Sequence, residues 1–274
     1  VAVESLIREI QVQASGDDLY GLAQGFNAEE VSGAYQMVDK SFPVNYETTV
    51  WDFDGYKAKE LYDILNEGGV TSDEVISSNQ RDSGWDPAAV SLLVFARETI
   101  EYYKVNHTYD AVVANGSDLA LAVNAGKSNA SFYGGGLQLG QFGVGAGVFA
   151  GQGVSFARAK DVVGHEINHG VVSVTSGLEY KFESGALDES FSDFFGAVIE
   201  NKNWLLGEDL LHPSGLTLRN MQNPANALRG GQPSHMSEFR ELPNTADGDS
   251  GGVHVNSGIH NRALYLLAEG LTDE

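Results

Sequence analysis

Cysteine is missing from this chain, basic residues are scarce, and long apolar runs are absent. No Cys occurs among the 274 residues, which excludes disulfide bonds and thiolate metal ligands. Only 16 Lys and Arg stand against 38 Asp and Glu, and the charge of −22 repels nucleic acid and anionic membranes, so neither is expected as a partner. No run of about 18 apolar residues occurs, so no segment is expected to span a bilayer.

The remaining composition is typical of a globular protein with one large or two modest domains. The hydrophobic fraction is 42%, with 10% aromatic residues. The acidity fits solubility in a saline or extracellular setting, and some carboxylates could hold calcium. The chain starts at Val1 with neither Met nor a signal-like segment, which indicates a processed mature form. The protein is expected to be secreted.

The segment 161–177 has the apolar spacing of a helix, and Gly177 supplies a stop. On such a helix His165 and His169 lie one turn apart on one face, the separation that two imidazoles need to share a metal. Glu166, beside them, would be the proton carrier of the His-Glu-x-x-His pattern of zinc hydrolases. Because two His and a Glu also occur on ordinary exposed helices, a third ligand has to decide.

A second helix, predicted over Leu187–Glu200, provides that ligand. Glu189 and Asp193 are four residues apart and point the same way. Glu189 can complete a His2Glu zinc site with an open position for water, whose proton Glu166 can take. Asp193 can accept the outer N–H of His165. The competing interpretation is a solvated acidic face, which the preceding zinc motif disfavours.

The rest of the chain divides into a β-rich opening and a helical second half. Residues 1–82 alternate short apolar runs with turn residues, which favours strands. A helix of about four turns is predicted after an Asp86 cap and Pro87. Residues 111–123 are predicted as strand, and the glycine-rich stretch 134–153 as turns and an edge strand. A last helix is predicted from a Ser257 cap.

Several motifs in the same order make the chain resemble the thermolysin-like family of neutral metalloproteases from about Asp86 onward, with only a weak match before that. They are Asn129-Ala130, the helix 161–177, Ser176–Tyr180, Glu183–Asp193, Leu218–Met221 and Gly251–Gly258. The resemblance implies an α+β, thermolysin-like two-lobed metalloprotease. Its β-rich N-terminal lobe would be 1–158, its mainly helical C-terminal lobe 159–274, and the active-site cleft would lie between them.

The resemblance also implies roles for particular residues. It implies zinc on His165, His169 and Glu189, with Glu166 as general base. His254, oriented by Asp249, and Tyr180 would donate to the oxyanion of the tetrahedral intermediate. Arg219 would bind the substrate carbonyl beyond the scissile bond, and Asn129 and Ala130 would pair with the peptide backbone. The pocket for the residue after the cut, expected to be Leu or Phe, would be lined by Val162, Leu206, Leu210 and Leu218, each of which also has a plain core interpretation.

One calcium ion is a further implication. Asp161, Glu200 and Glu208 match family ligands near the zinc helix, and carboxylate oxygens suit Ca2+. Asn203 and Leu205 replace two family acids, so Asn203 would ligate through its carbonyl and Leu205 only through its backbone. A paired calcium site is therefore not expected, nor is a site near 77–80, which lacks carboxylates.

Three other functions compete with the expected one, a zinc endopeptidase acting on peptides or proteins. A catalytically inactive binding module of the same fold would be expected to have lost the base or a ligand, and all are present. A protease with a third His six residues after the second is excluded because that position is Thr175. An aminopeptidase would need a site for a free amine, which the sequence does not identify.

The resemblance finally predicts that the folded unit extends beyond Glu274. Thermolysin-like domains carry further helices that would cover the apolar face formed by Ile259, Leu264 and Leu267. The missing part is expected as a docked C-terminal fragment of the same precursor, or as a segment that has been trimmed.

Overall fold

The computed structural model describes residues 10–41, 47–53, 74–109, 119–124, 130–133, 140–144, 146–149, 152–228 and 230–270. Up to residue 155 the described elements are mostly strands, and from residue 160 on they are mostly helices. Described strands and long helices bury apolar side chains in a common core, which gives the α+β content that the sequence predicts.

The first part of the chain forms two main sheets. Its strands are, in chain order, β1 (Ile10–Asp17), β2 (Ala23–Val31), β3 (Ala34–Gln36), β4 (Val38–Asp39), β5 (Thr48–Asp52), β6 (Ser77–Ser78), β7 (Leu119–Val123), β8 (Ala130–Tyr133), β9 (Gly140–Val144), β10 (Ala146–Phe149) and β11 (Gln152–Ser155). One sheet has the order β1-β2-β3-β6 and the other the order β4-β5-β7-β9-β8, while β10 and β11 form a separate pair.

The glycine-rich stretch contributes an internal strand, and the prediction of an edge strand there is wrong for β9. This strand pairs in parallel with β7 on one side and antiparallel with β8 on the other. Among the described strands, β8 is therefore at one end of the five-stranded sheet and β4 is at the other. The edge that a substrate backbone could use belongs to β8, which begins at Ala130.

Helix α1 (Pro87–His107) begins as the sequence predicts but is longer than four turns, with 21 residues. The Asp86 side chain accepts the backbone N–H of Ala88 at 2.7 Å, and Pro87 follows at a position that needs no intrahelical donor. The helix buries Leu92, Leu93 and Ile100 completely. They belong to the core that also contains residues of β5, of β7 and of the segment 156–163. Helix α1 therefore joins the sheets to the helical part.

The helical part contains the two helices with the zinc motif. Helix α2 spans Lys160–Thr175, and the N–H of Gly177 closes its end on the Val172 carbonyl at 2.9 Å. Helix α3 spans Phe182–Glu200 and so begins five residues before the predicted start at Leu187. The remaining elements are β12 (Leu205–Leu206), α4 (Glu208–Leu211), β13 (Arg219–Asn220) and α5 (Asp249–Glu269).

The prediction of a helix cap at Ser257 is wrong, because α5 is already helical at that residue. Residues 250–252 have left-handed backbone angles, with φ of 52°, 90° and 82°. Just before them, the Asp249 carboxylate accepts the N–H groups of His254 and Val255 at 2.8 and 3.2 Å. Asp249 thus satisfies the first donors of the regular helix, which places His254 in its first turn.

Helices α2 and α3 cross in backbone contact at Gly164 and Gly196. A Cβ atom at Gly164 would lie 3.3 Å from the Gly196 Cα, and one at Gly196 would lie 2.4 Å from the Asp161 carbonyl oxygen and 3.2 Å from the His165 nitrogen. Real Cβ atoms do not approach backbone atoms to 2.4 Å. The close crossing therefore requires glycine at 196.

We predict that Gly196→Ala separates the two helices and lowers both stability and metal content. Alanine gains roughly 1 kcal/mol over glycine inside a helix, but the clash is with backbone and overpacking costs about 1–3 kcal/mol. The measurement is the melting temperature together with zinc stoichiometry. Gly25→Ala is the matched control, since a Cβ there meets nothing within 4 Å. A melting temperature equal to that of the unmodified chain would contradict the prediction.

Candidate metal centre and substrate cleft

Two imidazoles on α2 and one carboxylate on α3 converge at the centre of the cleft. The Nε2 atoms of His165 and His169 are 3.1 Å apart. The Glu189 oxygens lie 3.5 Å from each of these nitrogens, Oε2 facing His165 and Oε1 facing His169. Ligands at about 2.0–2.1 Å around a tetrahedral zinc stand about 3.3 Å apart, so these atoms are spaced as zinc ligands.

Glu189 has the environment of a metal ligand. It is completely buried, and among the described residues its Oε2 has no hydrogen-bond partner. Burial raises the pKa of its carboxyl, but the positive charges of His254, His165 and His169 outweigh that effect and hold this pKa below its usual range. A buried, ionised oxygen without a donor is costly unless a cation faces it. The residues therefore fit Zn2+.

Each of the two imidazoles is oriented by an aspartate on α3. Asp193 Oδ1 lies 2.8 Å from His165 Nδ1, as the spacing predicts, and Asp188 Oδ1 lies 2.8 Å from His169 Nδ1. Sequence reasoning missed Asp188 because it considered only the helix face shared by Glu189 and Asp193. The available signal was chemical: each ligating histidine needs an outer acceptor, and Asp188 is the acid next to the third ligand.

Further polar groups connect this site to α1, and sequence reasoning missed these as well. Ser192 Oγ lies 3.2 Å from His169 Nδ1 and accepts the Asn168 amide at 3.2 Å. Asn168 in turn accepts the hydroxyl of Tyr103, on α1. All three residues are buried. The orientation of His169 thus depends on contacts from three helices.

The acidic surroundings determine the charge of His169. Burial lowers the pKa of this imidazole, but the hydrogen bond to Asp188 and the charges of Glu189 and Glu166 raise it to about 9. A metal must therefore displace a proton from His169 when it binds near neutral pH. Glu166 is itself buried and close to both imidazoles, since the ligand atoms of the three residues lie within 4.8 Å of one another.

A histidine and a tyrosine approach Glu189 from the opposite wall. His254 Nε2 lies 3.2 Å from Glu189 Oε1 and 3.2 Å from the Tyr180 hydroxyl, which also contacts Glu189. The other nitrogen of His254 lies 2.6 Å from Asp249 Oδ1. Burial lowers the pKa of His254, but Glu189 and Asp249 raise it overall. Burial and Glu189 raise the pKa of Tyr180, so its hydroxyl keeps its proton at neutral pH.

Arg219 lies against the centre from β13. Its Nη2 is 2.7 Å from Asp193 Oδ1 and 4.0 Å from Glu189 Oε2, and its Nε also donates to Asp193. The second oxygen of Asp193 accepts the side-chain amide of Asn261 at 2.8 Å. Asp193 is thus held from both sides, and Nη1 of Arg219, which has no hydrogen-bond partner among the described residues, can face a substrate.

The cleft around these groups is large enough for a peptide. It encloses 1280 Å3, above the 300–1,000 Å3 that is usual for small-ligand sites. Val162, Leu218 and Ala130 line it as predicted, whereas Asn129 lies outside the described residues. Sequence reasoning missed other apolar lining residues, among them Phe132, Phe156 and Leu228, because these three come from separate elements with no common motif.

Two predicted pocket residues do not line the cleft. Leu206 is fully buried in a cluster with Ala197, Met221 and Tyr265, and Leu210 is buried in the main core. The prediction that they line the pocket is therefore wrong, because β12 and α4 direct these side chains into the protein interior. The plain core interpretation applies to both.

A second group of acids lies at the far ends of α2 and α3. Ligand atoms of Asp161, Glu200 and Glu208 lie within 4.8 Å of one another. Among the described residues, Oε2 of Glu200 and Oε2 of Glu208 are buried without a hydrogen-bond partner. Burial and the neighbouring acids raise the pKa of Asp161 well above its usual range and that of Glu200 to about 7. The crowding of these acids fits a site for a cation.

The two residues that replace family acids lie beside this group. The Asn203 amide nitrogen donates to Glu208 Oε1 at 2.7 Å, and its carbonyl accepts the Leu205 N–H at 2.6 Å. Lys202 Nζ lies 3.3 Å from Glu208 Oε1 and 2.9 Å from Asp209 Oδ1. In this arrangement neither Asn203 nor Leu205 adds a charge to the group.

Two family models match the chain, one for the thermolysin metallopeptidase catalytic domain over residues 13–173 and one for the thermolysin metallopeptidase alpha-helical domain over residues 176–274. The chain therefore belongs to the thermolysin metallopeptidase family, which confirms the resemblance. The two-part fold, β-rich and then helical, is confirmed with it. The division between residues 158 and 159 stays a prediction.

Individual relatives agree with this assignment. The chain is 40% identical over 195 residues to bacillolysin of Brevibacillus brevis, covering 70% of this chain and 35% of that one. It is 32% identical over 277 residues to neutral protease B of Bacillus subtilis strain 168, covering 98% and 47%. It is 33% identical over 273 residues to extracellular elastase of Staphylococcus epidermidis, covering 95% and 48%. The chain thus spans about half the length of these relatives or less.

A solved structure shows the same fold. The precursor of protealysin, a metalloproteinase from Serratia proteamaculans, superimposes with a TM-score of 0.64 at 30% identity, over 81% of this chain and 68% of that one. None of the described helices of this chain has both the length and the apolar composition needed to cross a membrane.

We predict that Asp188→Ala weakens zinc binding by about tenfold or more, as removal of outer partners of metal-bound histidines commonly does. The change removes the acceptor that fixes the ring of His169. Competition with a zinc chelator measures the affinity. Glu183→Ala, which removes the same charge from an exposed position of α3, is the matched control. Equal affinities for the two variants would contradict the assignment.

Proposed function

We propose that this chain is a zinc-dependent endopeptidase that hydrolyses internal peptide bonds of peptides or proteins before bulky apolar residues. The main support is the convergence of His165, His169 and Glu189, whose nitrogen and oxygen atoms lie 3.1–3.5 Å apart. In addition, one buried Glu189 oxygen lacks a donor among the described residues. Family membership supports zinc as the metal. Zinc, when bound, supplies Lewis acidity that polarises a carbonyl and makes water more acidic.

Glu166 would act as the general base and then the general acid. Its carboxylate lies beside the two histidines at the floor of the cleft, within reach of a water that attacks the scissile carbonyl. It would take the proton of that water and pass it to the leaving amine. Glu166 lies next to the three ligands but is not one of them. Its loss is therefore expected to abolish hydrolysis while the metal stays bound.

His254 and Tyr180 would stabilise the charge that develops on the carbonyl oxygen. The raised pKa of Tyr180 keeps its hydroxyl protonated, the raised pKa of His254 favours its protonated form, and both groups lie close to Glu189. Asp249 would orient His254 through the 2.6 Å contact with its Nδ1. A donor of this kind typically contributes about 2.7–4 kcal/mol to lowering the barrier.

Substrate position and specificity would come from the two walls of the cleft. Ala130, with Asn129, would pair with the peptide backbone at the edge of β8, and Arg219 would use its unused N–H groups on a substrate carbonyl. Val162 and Leu218, together with Phe156 and Leu228, provide the apolar surface for a Leu or Phe side chain.

We further propose that Asp161, Glu200 and Glu208 hold one Ca2+, with Asn203 and Leu205 contributing at most carbonyl oxygens. The two orphaned carboxylate oxygens and the raised pKa values of Asp161 and Glu200 support this. We also propose secretion, in keeping with the name of the extracellular elastase relative.

The proposed chemistry predicts that Glu166→Ala keeps about one zinc per chain and loses hydrolysis. The substrate is an acetylated and amidated peptide, so cleavage also excludes an aminopeptidase. His169→Ala should instead lose the metal, and Glu101→Ala, an exposed change on α1, should alter neither property. Normal turnover by Glu166→Ala would sink the assignment of the base. Absence of hydrolysis in the zinc-loaded, unmodified chain would favour an inactive binding module.

The calcium site predicts stabilisation that depends on its carboxylates. A ligand at a hundredfold excess over its Kd adds about 2.7 kcal/mol to the free energy of unfolding. Addition of calcium to a buffer that contains zinc but no calcium should therefore raise the melting temperature by several degrees. Glu200→Gln should reduce or abolish the increase, whereas Glu101→Gln should retain it. An equal increase in both variants would show that calcium binds elsewhere.

A further inference from the structure

One arginine in the cleft wall, Arg240, has no counter-ion within the part of the chain that the structure describes. Arg219 is paired with Asp193, but the guanidinium of Arg240 makes only a 3.4 Å contact with the Gly231 carbonyl. Among the described residues, no carboxylate oxygen lies within 4.0 Å of it. In a chain with 38 acids against 16 bases, an arginine without an acidic neighbour is conspicuous. Most of its five N–H donors are free to bind a ligand.

The backbone of Arg240 is fixed while its side chain stays exposed. The buried side-chain amide of Asn256 accepts the Arg240 N–H at 3.0 Å and donates to its carbonyl at 2.9 Å. Asn256 lies on α5 two residues after His254, so this clamp sets the position of Arg240 relative to the proposed oxyanion donor. Such anchoring lowers the ordering cost of a contact that Arg240 makes with a ligand.

Hydrogen bonds place Arg240 on the same side of the centre as the apolar pocket. Leu218, a pocket residue, follows Thr217, whose carbonyl accepts the N–H of Leu228 at 3.0 Å. Three residues later, Gly231 contacts the Arg240 guanidinium. Leu218, Leu228, Gly231 and Arg240 all line the cleft. If Leu218 contacts the residue after the cut, Arg240 faces residues further along the same direction.

We propose that Arg240 forms a carboxylate-binding subsite for the part of the substrate that follows the cut. Its ligand is an acidic side chain or the terminal carboxylate of a short peptide, held by paired N–H donors of the guanidinium. This inference rests on the proposed endopeptidase function and adds a charge preference to its apolar specificity. Because the contact is at an exposed rim, a preference of about three- to tenfold in kcat/KM is expected.

The test uses acetylated and amidated peptides that are cut before one Leu. A single Glu, or Gln as its uncharged counterpart, is placed at the second, third or fourth residue after the cut, or at the second or third before it. A second set has uncharged side chains and ends in either a free carboxylate or an amide. The quantity compared is the ratio of kcat/KM for the charged and uncharged members, taken within one preparation so that partial unfolding cancels.

The unmodified chain should prefer the carboxylate after the cut and show no preference before it. Arg240→Gln should bring the ratio to about one, and Arg240→Glu should bring it below one. Lys104→Gln, which removes one positive charge from the exposed end of α1, should keep the full ratio. A preference in the first peptide set identifies an acidic side chain as the ligand, and one in the second set identifies the chain terminus.

Equal ratios for the unmodified chain and Arg240→Gln would overturn the proposal. An equal loss in Lys104→Gln would also overturn it, because the cause would then be the overall field of the protein. Cleavage of the Gln peptides without any charge preference would refute the subsite alone. No cleavage of any peptide by the zinc-loaded chain would refute the endopeptidase function instead.

Discussion

The contact between the backbones of α2 and α3 at Gly164 and Gly196 is the constraint on which the rest of the site depends. A Cβ at Gly196 would fall 2.4 Å from the Asp161 carbonyl, so the helices approach as closely as two backbones can. Two turns before Gly196, Glu189 comes within 3.5 Å of both histidines because of this approach. The same approach brings Asp188 and Asp193 within hydrogen-bond distance of the outer ring nitrogens.

The second feature that organises the site is its buried charge. Most of the buried acids are paired with a basic or polar side chain. Asp193 faces His165, Arg219 and Asn261, and Asp188 faces His169, so neither acid is left unpaired. Glu189 differs, because one of its oxygens has no donor among the described residues. In a site where nearly every polar atom has a protein partner, this exception indicates where a cation belongs.

Much of this arrangement could be predicted from the sequence, because the zinc motif lies on regular helices. A spacing of four residues fixes which side chains share a face, and this applies to His165 with His169 and to Glu189 with Asp193. Asp188 is one residue out of that pattern, and only the packed structure shows that it faces His169. Leu206 and Leu210 were misplaced for a related reason: an apolar side chain fits a pocket and a core equally well, and only tertiary packing distinguishes them. The start of the regular part of α5 was missed because three left-handed residues, 250–252, lie just before it, and apolar periodicity does not reveal that conformation.

The same two helices carry all three candidate zinc ligands and two of the three acids of the second group, Asp161 and Glu200. Helix α2 begins beside Asp161 and carries His165 and His169 further along, while α3 carries Glu189 near its start and ends at Glu200. An ion at one end that favours the crossed arrangement of the helices also favours the arrangement that the other end needs. Thermodynamic linkage makes such an effect reciprocal: whatever factor calcium contributes to zinc affinity, zinc must contribute to calcium affinity. If both ions bind as proposed, the pair of helices is a single unit in which the two sites are coupled.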